Sequence, residues 1–345
     1  MKKYSVISLF AGCGGLDLGF IGGFKFLDKF YDKNKFEIVW ANDIDRASCE
    51  TYYKNFGHDI VCGDITKLLN GGTNLSMFDK KMPDQADVVI GGFPCQDFSL
   101  AGKRKGFSAE RGLLYQSMVE VVRRTKPTTF VAENVKGLMN MDNGEALKTI
   151  IKEFESLGYN VVYKLLTAAD YGVPQVRERL IIVGTRNNKK TGFKHPDPFL
   201  TKDKWVSLKR AIGDLEDIGE GIVDNHFWSK AKMFPGTQGN STVSKDKPGP
   251  TMRTEHHGNI EWHWNEKRRL SAREAARIQS FPDNFVFYPS TSSAYKQVGN
   301  AVPPVMAWHV ARAVQKFLDK INLEDEKPIK HEFKESSSYS PSPVL

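Results

Sequence analysis

Short apolar runs alternate with stretches of helical spacing along the first half of the chain. The apolar runs that predict strands are Ser5–Phe10, Glu37–Trp40, Val88–Ile90, Thr129–Glu133, Val161–Leu166 and Leu180–Gly184. Segments Arg46–Phe56, Leu113–Arg124 and Gly144–Leu157 lie between them and carry apolar residues at helical spacing. This alternation predicts an α/β fold with a doubly wound, mostly parallel sheet covered by helices on both faces. Ligands of such sheets bind beyond the carboxyl ends of the strands.

The pattern changes at about residue 187, where periodicity gives way to a stretch rich in Lys, Gly, Pro, Asn, His and Trp. Five aromatic residues give this stretch something to bury, namely Trp205, Phe227, Trp228, Trp262 and Trp264. We therefore predict a main domain of residues 1–186 plus 295–322 and a smaller irregular domain of residues 187–294. Helical patterns return at Ser271–Gln279 and Val305–Leu318. Residues 323–345 are charged, then rich in Ser and Pro, and are predicted to be disordered.

Composition narrows the class of protein. The chain has 345 residues, of which 40% are hydrophobic and 26% charged, as in ordinary globular proteins. No apolar run approaches the roughly 20 residues of a membrane span, and no signal peptide is evident. The four cysteines form no Cys-x-x-Cys pair and no zinc pattern, so we expect no metal and a reducing cytoplasm. The net charge of +8 suits a polyanionic partner, although many basic proteins bind no nucleic acid.

Cys95 is the first candidate for chemistry. It stands within Gly-Gly-Phe-Pro-Cys-Gln-Asp-Phe-Ser, residues 91–99, directly after an apolar run that predicts a strand. A thiol attacks as the thiolate, which needs an electropositive site, and four basic residues follow: Lys103, Arg104, Lys105 and Arg111. The alternative is that Cys95 is a small buried hydrophobic residue, as most free cysteines are.

A glycine-rich turn follows the first predicted strand, in Ser-Leu-Phe-Ala-Gly-Cys-Gly-Gly, residues 8–15. It is not the NAD fingerprint, because Asp17 stands where the third glycine would be. Asp43 ends the second strand, and Asp64 lies near the end of a third. Two acids and a glycine turn suit a nucleoside without a pyrophosphate. Alternatively, both aspartates cap helices.

Polar groups also end two later strands. Glu133 follows three apolar residues, so it should be partly desolvated, which raises its pKa and suits proton donation. Alternation places Arg177 and Arg179 on one face of the next strand, where they would bind an anion or a carbonyl oxygen. The alternatives are a salt bridge or helix cap at Glu133 and a surface ion-pair ladder at the arginines.

Taken together, these motifs resemble the DNA (cytosine-5)-methyltransferases of bacterial restriction–modification systems. The resemblance rests on six segments in the order of the family. They are Phe10 to Gly15, Gly92-Phe93-Pro94-Cys95-Gln96, Glu133-Asn134-Val135, Gln175-Val176-Arg177-Glu178-Arg179, residues 269–283 and Tyr295-Lys296-Gln297-Val298-Gly299-Asn300-Ala301-Val302-Pro303. The resemblance implies a methyltransferase fold of the S-adenosylmethionine-dependent type, with residues 187–294 as a target-recognition domain.

The resemblance assigns roles in methylation of cytosine carbon-5. Cys95 would add to carbon-6, Glu133 would bind N3 and the exocyclic amine, and Arg179 would contact O2. Arg177 would hold Glu133 or a phosphate, and the two arginine roles could be exchanged. The target base must leave the duplex, and the stretch Ser99 to Gly112 would close over it. Residues expected to contact DNA are Gln96, Ser99, Lys103, Arg104, Lys105 and Arg253, the last a candidate for guanine.

The resemblance also implies an S-adenosylmethionine pocket. Its expected residues are Phe10, Gly12, Cys13, Gly15, Asp43, Ile44, Asp64, Ile65, Pro94, Leu114, Asn300 and Val302. Three positions depart from the family pattern: Asp43 replaces the more usual Glu, Ile44 stands where an aromatic residue often stacks on adenine, and Ala301 replaces a frequent Ser. These departures bear on cofactor affinity rather than on cofactor identity.

The expected partners are duplex DNA and a functionally paired restriction endonuclease, with a monomer sufficient for the reaction and no membrane involved. We expect a bacterial cytoplasmic protein that associates with the nucleoid through DNA. Two other interpretations stay open. One is a tRNA-methylating relative with the same catalytic loop, and the other is a catalytically dead DNA-binding homologue. The recognition domain favours DNA over tRNA, and intact Cys95, Glu133, Arg177 and Arg179 argue against the dead homologue.

Overall fold

A computed structural model describes residues 3–71, 81–94, 114–186, 192–232, 241–252 and 260–325. Seven strands form one sheet: β1 (Tyr4–Leu9), β4 (Phe36–Asp43), β5 (Val61–Cys62), β6 (Val88–Gly91), β7 (Thr129–Val135), β8 (Tyr159–Thr167) and β9 (Glu178–Arg186). Their order is β5-β4-β1-β6-β7-β9-β8, and β9 runs antiparallel to both of its neighbours. Strands β2 (Phe24–Phe26) and β3 (Lys29–Tyr31) form a separate hairpin. The predicted doubly wound, mostly parallel sheet is confirmed.

Nine α-helices are present among the described residues, and some of them cover both faces of this sheet. They are α1 (Gly15–Ile21), α2 (Arg46–Phe56), α3 (Ile65–Leu69), α4 (Leu114–Thr125), α5 (Glu145–Ser156), α6 (Leu208–Ile212), α7 (Ala272–Ile278), α8 (Thr291–Asn300) and α9 (Pro304–Asp325). Alternating side chains of the strands supply two cores. Val88 and Ile90 share one core with α1 and α9, whereas Val89 shares the other with α4 and α5.

A third core forms among residues 208–301 around helices α6, α7 and α8, and it also includes Cys13. Helix α7 begins with a capping box, in which Ser271 and Glu274 satisfy each other's main-chain N–H groups. Fully buried Arg273 donates to the carbonyl oxygens of Asp224, Pro282 and Phe285. Such buried guanidinium groups fix surrounding loops because each N–H finds an acceptor.

The last helix, α9, reaches Asp325, three residues into the stretch predicted to be disordered. Residues 326–345 lie outside the described part of the chain. Among the described residues, no helix is long and apolar enough to cross a lipid bilayer. In the same part of the chain, no group of three or more His, Cys, Asp or Glu side chains is arranged to hold a metal ion.

Candidate active site

Four parallel strands end together at one edge of the sheet. Leu9 pairs with Asn42 and with Gly91, and Gly91 pairs with Ala132. The residue after each of these therefore lies at the same edge, which places Phe10, Asp43, Gly92 and Glu133 there. This is the edge at which sheets of this kind bind ligands.

Glu133 and Arg179 form an ion pair at this edge. The register places Val135 of β7 opposite Arg179 of β9, and the two strands run antiparallel. The Nε atom of Arg179 lies 2.8 Å from Oε1 of Glu133, and each side chain is 11% exposed. The same guanidinium donates through Nη1 to the carbonyl oxygen of Glu178 at 2.8 Å. The pair thus presents a fixed carboxylate beside a fixed donor in a site largely shielded from water.

The loop after β6 is held against this pair. The side-chain amide of Asn134 donates to the carbonyl oxygen of Phe93 at 2.9 Å, and the ring of Phe93 is buried. A Cβ atom added at Gly92 would lie 2.9 Å from Oε2 of Glu133. Only glycine therefore lets the loop pass so close to the carboxylate.

The residues that follow this loop begin with Pro94, which is exposed. Cys95 comes next in the chain and lies outside the described residues. The same holds for the expected DNA-contacting residues Gln96, Ser99, Lys103, Arg104, Lys105 and Arg253.

Arg177 has contacts other than those expected. Its side chain is 1% exposed and donates to three main-chain carbonyl oxygens: Met252 at 3.1 Å, Gly299 at 2.8 Å and Ala301 at 3.1 Å. Burial lowers the pKa of this guanidinium, and the charge of Arg179 adds to the effect. The two arginine roles were expected to be exchangeable, and the contact with Glu133 is made by Arg179 and not by Arg177.

The glycine turn after β1 adopts a left-handed backbone. Phe10, Gly12 and Gly14 have φ angles of 53°, 56° and 93°. The N–H of Gly12 donates to Oδ2 of Asp43 at 2.7 Å. A Cβ atom at Gly12 would meet no atom within 4 Å, so the space beside the turn is open.

The two predicted acids have different surroundings. The second oxygen of Asp43 accepts from the N–H of Asp45 at 2.8 Å, and burial raises the pKa of Asp43. Asp45, not Asp43, caps α2. Asp64 caps α3 and accepts from the N–H and the hydroxyl of Thr66 at 2.9 and 2.7 Å. The helix-cap alternative thus describes Asp64, whereas Asp43 holds the glycine turn.

The other expected pocket residues divide into exposed and buried groups. Ile44 is 70% exposed, an unusual position for a large apolar side chain, and Asn300 is also exposed. Buried or half-buried positions are taken by Cys13, Gly15, Ile65, Leu114 and Val302. A Cβ atom at Gly15 would lie 2.4 Å from the carbonyl oxygen of Val302, so the segment before α9 packs directly on the turn. The thiol of Cys13 faces the carbonyl oxygen of Gln297 at 3.9 Å, in the third core.

Sequence reasoning did not identify the buried support beneath the turn. Asp17 is fully buried and accepts from the hydroxyls of Ser8 at 3.0 Å and Tyr52 at 2.9 Å. Burial raises the pKa of this carboxyl to about 6. The only hint of this role in the sequence was that Asp17 stands where the third glycine of the NAD fingerprint would be.

Comparison with known proteins places this geometry in a family. The family model described as C-5 cytosine-specific DNA methylase matches residues 4–242 and 225–316. The Type II methyltransferase M.NgoFVII of Neisseria gonorrhoeae is 35% identical, over 91% of this chain and 87% of that protein. The Type II methyltransferase M.FnuDI of Fusobacterium nucleatum is 36% identical, over 97% of this chain and 99% of that protein.

Solved structures share the fold. The S. pombe Dnmt2 methyltransferase superposes with a TM-score of 0.62 at 18% identity, covering 93% of this chain and all of that one. The Entamoeba histolytica methyltransferase EhMeth gives 0.62 at 16% identity, over 92% and 99% of the two chains. Because the family model and both sequence relatives span most of the chain, the protein belongs to the C-5 cytosine-specific DNA methylase family and is a DNA (cytosine-5)-methyltransferase.

Proposed function

We propose that the protein transfers a methyl group from S-adenosylmethionine to carbon-5 of a flipped-out cytosine within a specific duplex DNA sequence. The observation that carries this proposal is the Glu133–Arg179 pair, which lies at the same sheet edge as the glycine turn and the loop leading to Cys95. A carboxyl and a guanidinium side by side match the acceptor and donor edge of cytosine.

The residues of the edge fit the proposed cofactor. The open space beside Gly12, the acid Asp43 and the exposed side chain of Ile44 suit a nucleoside with an amino-acid chain. When bound, S-adenosylmethionine supplies an electrophilic methyl group. Asp43 would keep the turn open by holding the N–H of Gly12, and Ile44 would cover the base in place of an aromatic ring.

The chemistry requires a nucleophile because carbon-5 of cytosine is itself unreactive. The Cys95 thiolate would form a bond to carbon-6, which pushes electron density onto carbon-5 and lets it take the methyl group. Glu133 would protonate N3 as negative charge builds there, while Arg179 would hold both Glu133 and O2. Methyl transfer would leave S-adenosylhomocysteine, and N3 would return its proton to Glu133. A base would then take the carbon-5 proton, and the electron pair of that C–H bond would re-form the C5–C6 double bond as the bond from C6 to the Cys95 sulfur breaks.

None of these groups can reach a cytosine inside a duplex, so the base must be flipped out at a cost of a few kcal/mol. We propose that the basic side chains of Lys103, Arg104 and Lys105 bind phosphates, with Gln96 and Ser99 beside the extruded nucleotide. The charge of +8 supports a polyanionic partner.

We propose the domain division as residues 1–186 plus 295–322 for catalysis and 187–294 for target recognition, with Arg253 among the base contacts. The third core supports a second packing unit among residues 208–287, which Cys13, Tyr295, Val298 and Ala301 of the catalytic part join. The relatives' designation as Type II methyltransferases supports a role in restriction–modification. We further propose a functionally paired restriction endonuclease and a monomeric, cytoplasmic enzyme that associates with the nucleoid through DNA.

The test is expression of the chain in a methylation-free host, followed by bisulfite sequencing of the host genome. The expected result is one short motif with a methylated cytosine, and an unmodified genome contradicts the proposal. Labelled methyl transfer to duplex DNA and to tRNA then compares substrates, and a preference for tRNA overturns the DNA assignment. A Cys95→Ala variant should keep DNA binding and lose all transfer.

A further inference from the structure

The segment Val286–Tyr288 is held by side chains instead of by a neighbouring strand. Asn55 of α2 donates to the carbonyl oxygen of Val286 at 2.8 Å and accepts from the N–H of Val286 at 2.9 Å. Thr51, one turn earlier in α2, accepts from the N–H of Tyr288 at 2.9 Å, and its hydroxyl faces the carbonyl oxygen of Tyr288 at 3.2 Å. Helix α2 thus binds the first and third residues of this segment, hereafter the bridge segment.

The middle residue of the bridge segment is bound from the other side. The side-chain amide of Asn225 donates to the carbonyl oxygen of Phe287 at 2.9 Å and accepts from its N–H at 2.8 Å. An amide that donates and accepts at one residue reproduces the pairing of a β-strand. Both asparagines are half-buried, and the ring of Phe287 is buried in the third core.

Helix α2 connects the bridge segment to the expected cofactor pocket. Asp45 caps this helix, and its N–H binds Asp43, which holds the glycine turn. Lys296 of α8 adds an ion pair with Asp45 at 2.5 Å. Asp43 and the N-terminal cap of α2 are only two residues apart and are hydrogen-bonded, so a shift of Asp43 should also shift the start of α2.

Asn225 connects the bridge segment to the proposed recognition domain. The N–H of Arg273 donates to the carbonyl oxygen of Asn225 at 2.9 Å, and its guanidinium donates to the carbonyl oxygen of Asp224 at 2.8 Å. Arg273 is itself fully buried, so Asn225 sits on a rigid support. The bridge segment is thus bound by Asn55 and Thr51 of α2 on one side and by Asn225 on the other.

We propose that Asn55 and Asn225 are positioning residues that couple cofactor binding to DNA binding through the bridge segment. This inference rests on the proposed function, because it takes S-adenosylmethionine and duplex DNA as the two ligands. A bound cofactor holds α2 in one position. Asn55 then holds the bridge segment, and Asn225 holds the recognition domain in the orientation that binds DNA. Coupling between two sites is reciprocal, so each ligand tightens the other by the same factor.

The experiment measures that factor by fluorescence anisotropy. The probes are S-adenosylhomocysteine and a labelled duplex carrying the motif found by bisulfite sequencing. In the parent enzyme, saturating S-adenosylhomocysteine should tighten DNA binding about 10-fold, within the usual range of such couplings. The factor should fall below about 3-fold in Asn55→Ala and in Asn225→Ala. Asn34→Ala is the control, because this half-buried amide also binds a carbonyl oxygen, that of Gly19, away from the bridge segment.

The double variant separates coupling from general destabilisation. Thr51 still binds Tyr288 in Asn55→Ala, so each single variant weakens the connection without removing it. Asn55 and Asn225 act on the same three residues, so the loss of coupling free energy in the double variant should be smaller than the sum of the two single losses. Thermal unfolding midpoints of the same proteins should instead fall further in the double variant.

Unchanged coupling in both single variants overturns the inference. A parent factor of one also overturns it, and DNA methylation by that parent would leave the proposed function standing. A parent that neither binds nor methylates DNA contradicts the proposed function and this inference together.

Discussion

The Nε atom of Arg179 lies 2.8 Å from Oε1 of Glu133, and the two side chains reach each other across adjacent antiparallel strands. Glu133→Gln keeps the shape but removes the acid, so we expect kcat to fall by about 10²- to 10⁴-fold. Arg179→Lys keeps the charge but loses the planar fork that a guanidinium offers, and we expect a similar loss. Methyl transfer under saturating DNA measures kcat directly.

An exposed ion pair between the residue after β7 and the first residue of β9 provides a matched control. Lys136 and Glu178 form an ion pair of 2.9 Å whose side chains are 55% and 38% exposed. Exposed pairs contribute roughly 0 to 1 kcal/mol, so Glu178→Gln should leave both kcat and stability nearly unchanged. Equal losses in Glu178→Gln and Glu133→Gln would show that charge near the sheet edge, and not a specific acid, supports the reaction.

Gly92→Ala should impair catalysis without unfolding the protein. The added Cβ would lie 2.9 Å from Oε2 of Glu133, whose position is fixed by Arg179. The carboxylate must then turn away, and a displacement near 1 Å can cost about 10²-fold in rate. Gly137→Ala is the control, because its Cβ would contact only Val135, at 3.8 Å. The measurement is kcat and the unfolding midpoint of both variants. Equal kcat in Gly92→Ala and Gly137→Ala would contradict the prediction.

The sequence predicted the sheet and much of its functional edge for one physical reason. A run of apolar residues ends where a parallel strand leaves the core, so the polar residue that follows lies at the ligand-binding edge. This reasoning located Glu133 and Asp43 correctly at that edge.

Pattern alone could not assign partners to polar groups. Arg177 and Arg179 look equivalent in the sequence, yet one binds three carbonyl oxygens and the other a carboxylate. The partners of Arg177 come from residues 75 to 124 positions away, which no local spacing encodes. Asp64 differs from Asp43 because a threonine two residues later completes a helix cap.

Arg177→Ala should lower stability first and activity as a consequence. It leaves three buried carbonyl oxygens without their donor, and each such loss costs about 1 to 3 kcal/mol. We expect a lower apparent unfolding midpoint and a partial rescue by Arg177→Lys. Arg312→Ala, at an exposed arginine, should leave the midpoint unchanged. A parent-like midpoint with kcat lowered 100-fold would instead return Arg177 to a catalytic role.

Asp17 gives the protein a predictable dependence of stability on pH. Burial raises its pKa from 3.8 to about 6, while Tyr52 and Ser8 oppose this shift by hydrogen bonding. Between these values the folded protein retains a proton that the unfolded chain releases, so stability is higher at low pH. This contribution is lost as the pH rises through about 6.

Asp17→Asn should remove that dependence, because the amide carries no charge and can still bond both hydroxyls. We expect the free energy of unfolding of the parent, relative to Asp17→Asn, to fall by roughly 1 to 2 kcal/mol between pH 5 and pH 8. Urea unfolding at several pH values measures the difference. Asp28→Asn is the control, since the Asp28 side chain is 86% exposed and its difference from the parent should stay flat. If the difference in free energy of unfolding between the parent and Asp17→Asn also stays constant with pH, the carboxyl of Asp17 has an ordinary pKa in the folded protein. Burial of its charge beneath the glycine turn would then not destabilise the protein.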